Sequence, residues 1–420
     1  MIIHSTVLEN GLRIVIAEVP EMPVVSAGLF FRQGSRNEAD DENGISHYLE
    51  HLLFNNQRAI RRKKRAVESI LFNGGVLSAF TTKECTSYEG VALKQHAHLL
   101  FESLYELVFE GEFSAEDVEA ERPIILAELK RKTAGSDQIT DYLVQGIYGN
   151  TGYGKWILGT EDFISSVQVD QLRERYEKSY CADNCSLVVL TSLEVRELMP
   201  MITELYSRVP SGTPTPLEVN LSEEVHLKVL RQKSEQVYLC LGGVGPSSRD
   251  ESTAMFEMAM AAWGSLPNSR LFLSARERDG LVYQIQSFSR HYVQTGQWGV
   301  FSSVSRKNFE PLMAVLAEEI HRLREEPLSE AELSRTASVL KTDLYLKMQQ
   351  TGHFLKLLGR KEIFRETIYP NDLIRQLELA TPERVMESVR DSVRPLGTSL
   401  VVMGDLDTDQ ALQAMNLIGE

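Results

Sequence analysis

Two histidines four residues apart, His47 and His51, with Glu50 between them, carry the densest chemistry in this 420-residue chain. The apolar spacing of Ile45 to Phe54 predicts a helix, on which residues four apart share a face, so both imidazoles can reach one ion. Imidazole nitrogens suit zinc, and Glu50 projects beside the same point, where a carboxylate can act as a base toward water. The spelling, H-x-x-E-H, reverses the commoner zinc-protease pentad. A catalytic zinc takes three protein ligands and keeps a fourth position open. A second predicted helix, opened by Ser114 with an acidic first turn at Glu116 and Asp117, runs past Glu128. Glu128 is a candidate third ligand. Glu121, two turns earlier on the same face, is a candidate for orienting a ligand or the substrate. On spacing alone, both could equally be solvated members of a charged helix.

The surrounding pattern alternates strand and helix. Leu12 to Val19 and Val24 to Arg32 read as strands, and Gln33 to Arg36 as a turn. Lys64 to Asn73 reads as a helix stopped by Gly74 and Gly75, Val76 to Tyr88 as one strand, and Lys94 to Glu110 as a long amphipathic helix. Pro123, inside the second candidate helix, calls for a kink or a local adjustment. Ser186 to Leu190 reads as a core strand.

The uncharged stretch Val209 to Leu217, with three prolines and one glycine, is a linker composition. After it the pattern restarts. Arg249 follows Arg36 by 213 residues, Ser329 follows Ser114 by 215, and Ser399 follows Ser186 by 213, each within a similar local run. Three matches at nearly one offset indicate a duplicated domain. The expected organisation is α+β: a metal-binding domain over 1–212, a linker over 213–224 and a homologous domain over 225–420. The second copy has no imidazole over Ala254 to Trp263, and Thr336 and Asp343 stand where the first copy has Glu121 and Glu128. One zinc per chain follows.

Composition narrows the function. Forty-four Lys and Arg against 59 Asp and Glu leave a net charge of −15, which argues against a nucleic-acid binder. No apolar run approaches the roughly 20 residues of a membrane-spanning helix, and the first residues lack the pattern of a secretory signal. Four scattered cysteines fit reduced thiols and a cytoplasmic location. The basic run Arg61 to Arg65 reads as a solvated loop, His96 and His98 face different ways on their helix, Cys240 reads as buried, and the glycines from Gly242 to Gly245 read as turns or packing contacts.

The runs Gly44–Phe54, Gly74–Glu84 and Glu121–Glu128 together resemble the inverted-motif zinc peptidases, the family of pitrilysin, insulin-degrading enzyme and mitochondrial processing peptidase. The resemblance covers nearly the whole chain and matches the short branch of two homologous α+β domains. It implies that each domain is a mostly antiparallel sheet packed against helices, the pair forming half of a clamshell chamber. It further implies His47, His51 and Glu128 as zinc ligands, Glu50 as general base and Glu121 as a supporting carboxylate. Arg276 and Tyr283, seven apart, resemble the family's arginine–tyrosine pair, which binds the substrate backbone and stabilises an oxyanion in a partner subunit's site. Ser78, Ala79 and Phe80 fall on its substrate-binding strand, with Ser78 where the family usually has asparagine. The expected activity is zinc-dependent endoproteolysis of peptides or short unfolded segments, bound by strand addition. The expected partners are a peptide substrate and a second copy or a related subunit, with no nucleic acid and no membrane. A non-catalytic assembly subunit and a dedicated maturation protease are the alternatives.

Overall fold

The computed structural model describes residues 2–54, 65–136, 138–218, 224–366 and 370–419. The basic run expected as a loop lies at 61–64 outside them, apart from Arg65. Eleven strands are described: β1 (Ile2–Val7), β2 (Arg13–Glu18), β3 (Val24–Phe31), β4 (Val76–Thr81), β5 (Thr86–Leu93), β6 (Cys185–Thr191), β7 (Leu227–Arg231), β8 (Gln236–Gly245), β9 (Val282–His291), β10 (Gly296–Ser305) and β11 (Ser399–Gly404). The helices that concern the sites are α1 (Ile45–Phe54), α2 (Arg65–Phe72), α3 (Ala97–Val108), α4 (Ala115–Ala134), α5 (Gln138–Tyr148), α6 (Thr253–Met260), α7 (Phe309–Glu325), α8 (Glu330–Gln349) and α9 (Thr351–Phe364). No described helix is long and apolar enough to cross a membrane.

The chain forms two compact units. In the first, the sheet order is β1-β2-β6-β3-β5-β4, antiparallel except where β2 meets β6. Strand alternation sorts β3 cleanly. Val25, Ala27, Leu29 and Phe31 join the core beneath α1 and α3, where Tyr48, Leu49, Leu100 and Leu104 are buried. Gly28 and Phe30 face the other way, toward α9, which packs on β3 and β6 of this unit although it comes from beyond residue 350. Two glycines permit that contact. A Cβ on Gly359 of α9 would sit 2.2 Å from the Phe30 ring, and one on Gly28 would sit 3.3 Å from Leu355.

The second unit has the sheet order β7-β11-β8-β10-β9, again with one parallel pair, β7 and β11. Its core joins Leu239 and Leu241 of β8, Val300 of β10 and Val402 of β11 to Leu312 and Leu316 of α7. Helix α5, from the first half of the sequence, packs on β8 and β11 here. The five strands repeat the order of β2-β6-β3-β5-β4, so the domain is duplicated at the level of topology. Each unit also takes one helix from the other half of the sequence.

The single strand expected at Val76–Tyr88 is two strands, β4 and β5, paired antiparallel. The turn between them contains neither glycine nor proline. The Thr82 hydroxyl replaces them by accepting from the backbone N–H of Glu84 (3.1 Å) and Cys85 (2.9 Å). Helix α4 runs through Pro123 as one helix.

Candidate metal centre

Helix α1 enters the core through a narrow gate. Gly44 adopts φ +113° and lies against Gly159, where a Cβ would come within 2.9 Å of the Gly159 backbone. The buried Glu38 carboxylate then closes the helix start, accepting from the backbone N–H of Gly44 (2.8 Å) and Ser46 (2.9 Å) and from the Asn43 amide (2.8 Å). An anion at a helix N-terminus opposes the exposed positive ends of the peptide dipoles. Burial nevertheless pushes the Glu38 carboxyl above its usual range, against these hydrogen bonds.

Helix α4 crosses beside α1, and the buried Tyr48 hydroxyl donates to the Val118 carbonyl at 2.7 Å, tying the two helices together. Val118, Glu121, Ile125 and Leu129 form the buried stripe of α4, at the three- and four-residue spacing of one helix face. Glu121 therefore points inward with the apolar residues, and Glu128, two turns on, lies at the edge of the stripe.

The result is a tight donor set. His47, His51 and Glu128 place one potential ligand atom each within 4.8 Å of one another. Glu128 Oε2 is 3.4 Å from His51 Nε2 and 3.8 Å from His47 Nε2. Two atoms bound to one tetrahedral zinc at about 2.0–2.1 Å are roughly 3.4 Å apart, so these residues fit the ion. On the far side of His51, Nδ1 lies 3.3 Å from Glu121 Oε2, the outer hydrogen bond that fixes a ligand ring. His47 Nδ1 is buried with no hydrogen-bond partner among the described residues. Glu50 stands beside the set, its Oε2 accepting from the Thr81 hydroxyl at 2.6 Å.

The electrostatics show what the arrangement demands. Burial presses the His51 imidazole down, but hydrogen bonds to Glu121 and Glu128 and the charge of Glu50 outweigh it and carry the ring up to about 9. Burial, then the neighbouring His51, brings His47 down to about 4. The His51 hydrogen bond draws the Glu128 carboxyl below its usual range. Burial raises Glu50, against the hydrogen bond from Thr81. Without a metal, a proton on His51 supplies the positive charge that the carboxylates require.

The other candidates fall elsewhere. Ala79 of β4 packs on the core, whereas Phe80 turns to the opposite face, under the Lys356 ammonium at 4.4 Å from its ring centre. Ser78 is exposed and pairs across the ladder with Glu89. β4 is the edge of its sheet. Arg276 and Tyr283 belong to the second unit. Arg276 lies in the π-helical turn Phe272–Arg278, its guanidinium carbon 4.9 Å from the Phe272 ring centre and 5.2 Å from that of Tyr283. Tyr283 is 82% exposed. Helix α6 buries Met255, Phe256 and Met258 where α1 has its imidazoles, and Thr336 is fully buried.

Residues 13–161 match the model for the insulinase family, peptidase family M16, and residues 166–340 match the model for the M16 inactive domain. The chain belongs to peptidase family M16. An uncharacterized zinc protease of Bacillus subtilis is 28% identical over 90% of this chain and 92% of its own length. The mitochondrial-processing peptidase subunit beta of Saccharomyces cerevisiae is 24% identical over 96% and 92%. In fold, a crystal structure of an M16 inactive domain from Pseudomonas fluorescens superposes with a TM-score of 0.89 at 17% identity, covering 97% of this chain and 99% of that one. The pentad and the second-helix glutamates were legible as motifs, but three residues of this site were not. Glu38 and Tyr48 hold α1 in place, and Thr81 touches Glu50. The one available signal for Thr81 is strand parity, since Leu77, Ala79 and Thr81 alternate onto one face.

Proposed function

We propose that this M16 chain is a zinc-dependent endopeptidase with one metal centre per chain, in its first unit. The observation that carries the reading is the convergence of His47, His51 and Glu128 beside an unligated carboxylate, Glu50. Zinc held by those three residues would supply a Lewis acid that polarises a carbonyl and acidifies a water. Glu121 keeps the His51 ring in the tautomer and orientation that present Nε2 to the site. Glu50 takes a proton from the attacking water and returns it to the leaving amine. Arg276 and Tyr283 are suited to donate to the developing oxyanion, and from a two-domain chain they would do so in the site of a partner subunit.

Among the described residues β4 is the edge of its sheet, and its outer side can take an extended substrate, which favours peptides and short unfolded segments over folded proteins. The relative named as subunit beta of a mitochondrial-processing peptidase supports work in a pair, as a homodimer or with a related chain. The four cysteines are buried and unbridged, which suits the reducing cytoplasm. The purified chain should hold one zinc and hydrolyse a quenched peptide, and Glu50→Gln should retain the zinc while abolishing turnover. A protein that holds no zinc and cleaves nothing is instead an assembly subunit.

A further inference from the structure

Glu50 is held from two directions, and both lead to one residue. Its Oε2 accepts from the Thr81 hydroxyl at 2.6 Å, the length of a strong hydrogen bond to an ionised carboxylate. Thr81 ends strand β4 and pairs across the ladder with Thr86 of β5. The Thr86 hydroxyl donates to the Gln33 carbonyl at 2.8 Å. A hydroxyl has one proton. The Thr81 proton goes to Glu50, at 2.6 Å against 3.4 Å to the Thr86 oxygen, and Thr86 gives its own to Gln33, so the two threonines are tied through the β4–β5 ladder. Gln33 also reaches α1 directly, its amide donating to Ser46 Oγ at 2.9 Å and its Oε1 accepting from Ser179 at 3.2 Å. Ser46 precedes Glu50 by four residues, one helical turn on the same face. The circuit therefore grips α1 at Ser46 and the carboxylate at Glu50 from a single fixed point, with Gln33, Ser46 and Thr86 all fully buried.

We infer that Thr81 is a positioning residue for Glu50, holding Oε2 so that Oε1 is the oxygen presented to the reacting proton. Glu50 is only partly buried, and a carboxylate on three freely turning bonds would otherwise be drawn toward solvent. Threonine suits the task because its branched side chain is stiff on a strand. Serine keeps the donor without the stiffness, and valine keeps the shape without the donor. This rests on the reading of Glu50 as the general base, and the test separates the two.

Thr81→Val and Thr81→Ser are made in the full chain beside Glu50→Gln. Zinc content, melting temperature, kcat and KM on a quenched peptide, and crystal structures are compared. Thr81→Val is expected to keep its zinc, melting temperature and KM but to lose roughly 10- to 100-fold in kcat, the scale of a misplaced catalytic group. Thr81→Ser should recover most of that loss. In the crystal, the Glu50 carboxylate of Thr81→Val should leave the position it holds in the wild type. A Thr81→Val enzyme with undiminished kcat, or one whose Glu50 carboxylate stays in place, overturns the inference. If the wild type proves inactive, the peptidase reading fails, and the crystallographic comparison still decides whether Thr81 sets the place of Glu50.

Discussion

The Nδ1 atom of His51 lies 3.3 Å from Oε2 of Glu121, while the opposite nitrogen of the same ring faces Glu128 at 3.4 Å. One imidazole is thus strung between two carboxylates on α4, and only the second of them adjoins the candidate ion position. Glu121→Gln keeps an acceptor for Nδ1 but removes the charge behind the ring. Zinc affinity should fall roughly 10- to 100-fold, measured by competition with a chelator. Glu128→Gln removes a ligand outright and should cost more.

Zinc uptake should depend on pH through His51. A metal ligand must be a neutral imidazole, and in the metal-free protein this ring stays protonated up to about 9. His47, brought down to about 4, is already neutral at pH 7 and has no proton to lose. Protons therefore compete with zinc at His51 alone, and the competition weakens as pH rises. Affinity should climb by about tenfold per pH unit between pH 7 and 9, with about one proton released from the ring per ion. Calorimetric titration in two buffers of different ionisation enthalpy measures that release.

A second group sets an acid limit on the other unit. Glu332 opens α8 and pairs with Arg270 through both oxygens, at 2.9 and 3.1 Å, while also accepting from the Ser329 backbone. The Arg270 hydrogen bonds bring its carboxyl down from 4.5 to about 2. A carboxyl depressed by folding adds stability that is complete above about pH 4.5 and drains away as pH falls toward 2. Thermal scans of wild type and Glu332→Gln should differ at pH 6 and converge toward pH 2.

Packing between α9 and β3 leaves no room for a side chain at Gly359. A Cβ there would meet three atoms of the Phe30 ring at 2.2–2.4 Å. Gly359→Val should destabilise the protein by about 1–3 kcal/mol in denaturant unfolding. Combined with Phe30→Leu, the two losses should be less than additive, since the smaller side chain opens the space that valine needs.

What could be read from the residues alone follows from periodicity. His47, Glu50 and His51 share one helix, and Glu121 and Glu128 share another, so spacing alone could bring each set onto one face. Strand order repeated in both halves was likewise visible as a near-constant offset. The hairpin inside Val76–Tyr88 was hidden because a threonine hydroxyl makes its turn where glycine or proline would have announced one. Thr81 was hidden for a different reason: a hydroxyl on a strand is ordinary until the partner across the gap is known. The exchange of α5 and α9 leaves no local trace, because an amphipathic helix does not specify which sheet it will cover.

Helix α9 has a consequence for biosynthesis. It covers β3 and β6 of the first unit but is translated more than 150 residues after β6. A nascent chain emerging from the ribosome can form the sheet and the histidine helix early, yet one side of that sheet stays bare until the distant segment arrives. The amino-terminal half expressed as a fragment would carry every candidate ligand and still expose an apolar strip fit for aggregation.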